Sequence, residues 1–325
     1  MKGVRVYLIV TAMLFPVIFL WKNFDFVQFF KLWLVLFGLG VIFIPLTGVI
    51  FKRFAAKGYI FAKIIGIAVS GYTLWILASL KILPFRAWTA YLVILVCFVV
   101  NIYINKKNRV YESVFKDKDL LKRVVFQEAL FIFALFYWSY LKGINPTIES
   151  LEKYMDFGFM NSILRSGYFP PMDMWYAGKP INYYYLGQYF AAYLTRISFV
   201  PPQISYNLMI AMLFSVSFMA SFTIGEHLFE IYEQNSNNFY PLKYAKPFCG
   251  LLTGALVTLS GSMHTPVYTI FARDKNPYGT YWYPDATRYI GHNPVVEGDK
   301  TIHEFPLYSY VVSDLHAHVL NMIFV

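Results

Sequence analysis

Charge is what this sequence has least of. Only 14% of its 325 residues are Asp, Glu, Lys or Arg, against about 25% in soluble domains. With 58% of residues hydrophobic, such a chain does not dissolve as one globule. Cysteine is scarce as well: Cys97 falls inside an apolar run and Cys249 at the start of another, which excludes a disulfide framework and a metal-thiolate spacing. No P-loop, dinucleotide fingerprint, HExxH or nucleophile elbow occurs, so the chemistries those motifs serve have no foothold. The net charge of +10 does not signal a nucleic-acid partner, because the excess sits in short turns between apolar runs, facing anionic lipid headgroups.

Long apolar runs are abundant instead. A helix needs about 20 residues to cross hydrocarbon, and seven segments answer: Arg5 to Trp21, Lys31 to Phe51, Ile64 to Leu83, Trp88 to Ile104, Phe126 to Leu141, Ile204 to Phe229 and Phe248 to Phe271. The first lacks a small-residue cleavage site and reads as an uncleaved signal-anchor. The closing VLNMIFV, Val319 to Val325, reads as the start of an eighth span, and the sequence as the N-terminal part of a longer protein. The expected fold is all-α, a polytopic transmembrane helix bundle with interfacial helices in two long outer loops. Fifteen Lys and Arg lie at the N-terminus, in the turn from Lys52 to Lys63, between Asn105 and Arg123, and at Lys243 and Lys246. The opposite short connections carry five: Lys22, Lys31, Lys81, Arg86 and Lys142. Cytoplasmic loops retain positive charge, so the N-terminus is expected inside a plasma membrane, with loops 145–203 and 272–318 outside.

In the first outer loop, Asn145 and Pro146 form a helix-start signal, and apolar residues from Ile148 to Ile163 recur at helical steps, predicting an amphipathic helix over 148–166 that Gly167 ends. On that wheel Glu149, Glu152 and Asp156 share a face within about 60°. A solvated polar face accounts for three carboxylates, but Asp156 sits in an otherwise uncharged stretch from Tyr154 to Leu164. Downstream, Asp173 and Lys179 bracket Trp175, and Tyr183, Tyr184, Tyr185, Tyr189 and Tyr193 follow. These rings suit an interfacial belt and equally the lining of a sugar or headgroup cleft.

In the second outer loop, Asp314, His316 and His318 precede the eighth span. A helix there would put Asp314 and His318 on one face; a strand would put all three on one side. With His303 and Glu304 they would make a shell for a divalent cation, and they suit a hydrogen-bonded polar cap as well. Glu128, Glu226 and His227 lie near span ends, a weak place for a proton relay. Pro266 is expected to kink the seventh span beside Ser262 and His264.

Two strings, MDFGFMNSILRSGYFPPMDMWYAGKPINYYYLGQY (Met155 to Tyr189) and TIHEFPLYSYVVSDLHAHVL (Thr301 to Leu320), closely resemble the signature stretches of the archaeal and bacterial YYY membrane-protein family. That family is named for its triple tyrosine, here Tyr183 to Tyr185. The resemblance covers roughly residues 125–325. The family pattern has DPW, INEFP and GDLHPH where this chain has Asp173-Met174-Trp175, Ile302 to Pro306 and Ser313 to His318. Asp173, Glu304, Asp314, His316 and His318 are kept. The resemblance divides the chain into residues 1–124, four spans and a basic cytoplasmic loop, and residues 125–325, the start of a catalytic-like module.

The YYY family is in turn similar to integral-membrane glycosyltransferases that use lipid-linked sugars, which place one acidic residue in each of two outer loops. Asp156 and Asp314 match those places. The resemblance implies transfer of a sugar from a polyprenyl-phosphate donor. Asp156 would be the base, with Glu152 in reserve. Arg165, Lys179 or a divalent metal held by Asp314, His316, His318 and Glu304 would face the leaving phosphate. Trp175 and Tyr183 to Tyr185 would stack on sugar, with Asp173 and Asn182 beside them. A non-catalytic assembly or envelope protein would explain the aromatics without the paired acids. A transporter would show internal repeats and paired charges at mid-span, neither of which the sequence displays.

Overall fold

In hydrocarbon every backbone N–H and C=O must be satisfied within the protein, and the chain meets that demand with helices. The computed structural model describes residues 24–149, 151–236, 244–272, 281–288, 290–292 and 295–325. The first predicted span and Lys243 lie outside them. Among the described residues β-structure is confined to isolated bridges. The helices are α1 Phe24–Ile50, α2 Tyr59–Ser79, α3 Ala87–Asn108, α4 Val110–Lys116, α5 Lys118–Ile144, α6 Lys153–Arg165, α7 Leu186–Ser198, α8 Pro202–Asn235, α9 Ala245–Leu259, α10 His264–Val267, α11 Pro306–Val312 and α12 Ala317–Asn321. Five of these, α1, α2, α3, α5 and α8, are long and apolar enough to cross a membrane.

Those five answer the second to sixth predicted spans. The fifth, expected to be the shortest, is a helix of 27 residues. The seventh is not continuous. Its helix α9 has 15 residues, the chain leaves helical geometry at Ser260, and it resumes in α10 and a π-helical turn, Tyr268–Ala272. The break comes earlier than the expected Pro266 kink. Phe305 packs so closely on Gly261 that a Cβ there would lie 2.5 Å from the ring.

Breaks in the backbone ladder are repaired by side chains. Pro45 inside α1 removes the donor that would bind the Val41 carbonyl. The Tyr111 hydroxyl of α4 donates to that carbonyl instead (2.8 Å), and the next amide, Leu46 N, donates to Asn101 Oδ1 of α3 (3.2 Å).

Lys63, read from sequence as a cytoplasmic turn residue, is instead fully buried in α2. Its Nζ lies 2.9 Å from Glu128 Oε2 of α5 and 4.6 Å from the centroid of Phe131. Trp33 Nε1 donates to Glu128 Oε1 and Tyr59 OH to Oε2, both at 2.8 Å. One carboxylate thus ties α1, α2 and α5 together, because burying either charge alone would cost several kcal/mol.

α8 is the central helix, 34 residues long and largely buried. α7 packs beside it and against α2: its Tyr189 and Tyr193 are fully buried and donate to Gly71 O (2.6 Å) and Ser70 Oγ (2.8 Å). These two rings therefore form neither a belt nor a cleft lining. A single cluster of buried apolar side chains runs from Phe29 in α1 to Ile323 beyond α12. It fixes α6, α7 and the α11–α12 segment against one another.

Candidate functional site

The helix of the first loop begins at Lys153, not at Ile148, because Leu151 takes a left-handed φ of 48° and Glu152 is the capping residue. Glu149 and Glu152 therefore do not share a helical face with Asp156. Asp156 stands in the first turn of α6 with no exposed surface. The far end of α6 is pinned by the Arg196 guanidinium of α7, which donates to Leu164 O.

The second-loop segment is neither all helix nor strand. α11 ends at Ser313, whose φ of 64° turns the chain, Asp314 to His316 run between helices, and His316 caps α12. Gly187 lets α12 approach α7, since a Cβ would meet Leu320 at 2.9 Å.

These elements bring the two loops together. Gln188 of α7, fully buried, donates through Nε2 to Asp156 Oδ1 (2.9 Å) and to Leu315 O (3.0 Å). Leu315 N donates to Tyr206 OH of α8 (3.2 Å). Around that bridge three buried acceptor oxygens have no donor among the described residues: Asp156 Oδ2, Asp314 Oδ1 and Gln188 Oε1. Buried acceptors normally find partners, which sets these three oxygens apart.

Its electrostatics follow from burial. Desolvation pushes the Asp156 carboxyl up to about 7; the Gln188 hydrogen bond opposes the rise, while Asp314 and Glu152 add to it. Asp314 is pushed up to about 6, again mainly by burial, with Lys153 opposing. Lys153 acts on Asp314 and, together with Asp314, on Lys142 at the end of α5, while His318 is the positive group acting on Asp156.

The histidines are paired. His316 Nδ1 lies 2.7 Å from Glu152 Oε2, and His318 Nε2 lies 2.9 Å from Glu304 Oε2, which also accepts from Ser309 Oγ. That pairing holds Glu304 below the usual carboxylate range and raises His318. Among the described residues no three His, Cys, Asp or Glu converge as metal ligands. Of the set expected to hold a cation, His316 is taken up by Glu152 and His318 by Glu304, while Asp314 belongs to neither pair.

The aromatic loop lies at the rim. Met172 bridges Pro180, and Asp173 N donates to Lys179 O (2.8 Å), closing a tight loop. Asp173 Oδ1 accepts from Trp175 N (2.7 Å) and Tyr176 N (2.9 Å), so its carboxylate shapes the turn. Trp175, Lys179, Asn182, Tyr183 and Tyr184 are exposed, and Tyr185 is half-buried against the core. The Tyr183 and Tyr184 rings pack at a tilt of 33° with centroids 3.9 Å apart, and Tyr184 OH reaches His316 Nε2 at 3.4 Å. Arg165, at the end of α6, is exposed.

The residues not foreseen are Gln188, Tyr206, Lys153 and Lys142. Gln188 carried a signal, a lone amide in the otherwise apolar-and-aromatic run Leu186 to Leu194. Lys142 and Lys153 carried none, because their neighbours are distant in sequence.

No curated protein and no solved structure matches the chain. A family model described as "Uncharacterized membrane protein (DUF2298)" matches residues 69–325, beginning within α2 and taking in both loops of the site. The chain belongs to that family of membrane proteins.

Proposed function

We propose that the protein is an integral-membrane glycosyltransferase, moving a sugar from a polyprenyl-phosphate carrier to an acceptor hydroxyl at the outer face of a plasma membrane. The observation that carries this reading is the meeting of Asp156 and Asp314, from separate loops, around unpartnered buried oxygens. A carbohydrate is the kind of ligand that supplies several hydroxyl donors at once. The exposed rings of Trp175, Tyr183 and Tyr184 at the rim suit stacking on sugar faces.

In the reaction Asp156 takes the proton of the acceptor hydroxyl, whose oxygen attacks the anomeric carbon. The bond from that carbon to the phosphate oxygen breaks, and the carrier phosphate leaves with the electron pair, inverting the anomeric centre. A carboxyl pushed up to about 7 is matched to proton transfer near neutral pH. Lys153 and Lys142 face the departing phosphate. Since Asp156 has no exposed surface, the 313–318 segment must shift to admit substrate, a gating motion of the usual kind. Gln188 reports that shift, being bonded to both Asp156 and Leu315.

The test is turnover of a radiolabelled polyprenyl-phosphate sugar by membranes containing the full-length protein. Asp156→Asn and Asp314→Asn are each expected to lower the rate by about 10²–10⁴-fold. Wild-type rates in both variants would refute the assignment.

A further inference from the structure

We propose that the groove between α1 and α5 is the seat of a single long isoprenoid chain, with the chain's phosphate at Lys142. Two adjoining cavities make up the groove. One, of about 590 Å³, is walled by Phe26, Phe30 and Trp33 of α1 and Ala129, Ile132 and Phe136 of α5. The other, of about 700 Å³, shares Phe26 and Phe136 and continues to Ser139, Lys142 and Asn207. α1 and α5 meet through long side chains, Phe29 against Phe136 and Trp33 on Glu128, which leaves the space between their backbones open.

The lining is suited to hydrocarbon and accessible from it. Phe37 and Val41 on one wall and Val125 and Phe133 on the other are themselves exposed, so the groove opens sideways toward lipid. Its ionisable floor residue, Glu128, has both oxygens occupied by Trp33, Tyr59 and Lys63. A chain lying over it meets no unpaired charge.

Length and charge select the occupant. From Phe26 to Ile44 the groove follows α1 for about 27 Å at the helical rise. That is nearly the whole hydrocarbon core of about 30 Å, whereas one phospholipid acyl chain spans about half of it. A single chain that fills the groove from end to end is therefore longer than a phospholipid acyl chain. Its polar end is Lys142, with Asp25 and Asn207 on the same rim. Lys142 lies within electrostatic reach of Lys153 and Asp314. A phosphate at Lys142 therefore presents whatever it carries to the Asp156–Asp314 cluster. What that cargo is rests on the transfer reading; the binding of the chain does not.

The experiment uses the protein in phosphatidylcholine nanodiscs with a diazirine-bearing, long-chain polyprenyl monophosphate that carries no sugar. Labelled residues are mapped by mass spectrometry. Label is expected on groove residues of α1 and α5, competed about tenfold better by unlabelled long-chain polyprenyl phosphate than by farnesyl phosphate or dioleoyl phosphatidic acid. Ala129→Phe, which fills the groove, is expected to lower labelling about tenfold, and Val99→Phe on the exposed face of α3 to leave it unchanged. The wild-type label map keeps the test decisive if Ala129→Phe fails to fold. Three outcomes overturn the proposal: label spread evenly over lipid-facing helices, equal competition by phosphatidic acid, or quantitative disulfide trapping of residues 1–23 against Phe133→Cys, which would make the chain's own N-terminal segment the occupant. Labelling without turnover of a sugar-loaded carrier would sink the transfer reading alone.

Discussion

Asp156→Asn separates a functional carboxylate from a structural one. Burial raises the Asp156 carboxyl from 3.8 to about 7, so between those values the folded protein holds a proton that the unfolded chain has released. Stability contributed by this group is complete below about pH 4 and is lost as pH rises through about 7. A shift of roughly three units corresponds to a penalty on the order of 4 kcal/mol for keeping the charge buried at about pH 8. Asparagine removes that penalty and keeps an oxygen for Gln188 Nε2. Its new amide donor costs about 1–3 kcal/mol if it goes unpaired, though Gln188 Oε1 beside it lacks a donor. The variant should thus be more stable than wild type by about 1–3 kcal/mol near pH 8, a rise of a few degrees in unfolding temperature, while losing transfer activity. Tryptophan-fluorescence melts of detergent-solubilised protein at one scan rate, near pH 5 and pH 8, read the effect. The advantage must grow by about 2–3 kcal/mol from pH 5 to pH 8. An Asp156→Asn protein destabilised equally at both would show that the carboxylate is there to hold the fold.

Gln188→Leu deletes the hydrogen bond that favours ionised Asp156, so the midpoint of the rising limb of activity against pH should move up by about one unit; an unchanged midpoint would mean that Gln188 does not act through Asp156. Glu128→Leu leaves Lys63 charged and unpaired in the bundle, and detergent-unfolding titrations should show a loss of about 3–5 kcal/mol. The double variant Lys63→Met with Glu128→Leu should recover most of that, and a double variant worse than the single one would contradict the pairing. Gly254→Val places methyl groups where a Cβ already sits 3.0 Å from Phe218 of α8. Close helix approach in membranes depends on such small residues, so unfolding should ease by about 1–3 kcal/mol.

The class of fold was legible because hydropathy is a local property: each run from Lys31 to Phe229 announces its own helix without reference to the others. Span five was misjudged in length because Lys118 to Val125 is polar enough to read as loop, yet it continues the helix under an Asp117 cap that accepts from Asp119 N and Leu120 N. Lys63 was misassigned because charge in a sequence reads as water. Only the arrival of Glu128, 65 positions away, makes its burial affordable. The first-loop helix was started too early because Asn145 and Pro146 satisfy the sequence rule for a cap, while the left-handed turn at Leu151 is set by how the loop must enter the bundle.

The site divides the same way. By itself the sequence determined that Asp156 lies in an otherwise uncharged stretch of helix, that Asp314 and the histidines precede an apolar segment, and that aromatic residues crowd between them, since composition and helical period are written locally. Tertiary structure decided that Asp156 and Asp314 share one cluster, that Gln188 bridges them, and that the histidines pair with Glu152 and Glu304. The contacts between the two loops join positions more than a hundred residues apart, as Gln188 and Leu315 are, and they exist only because α7 packs between α6 and the α11–α12 turn.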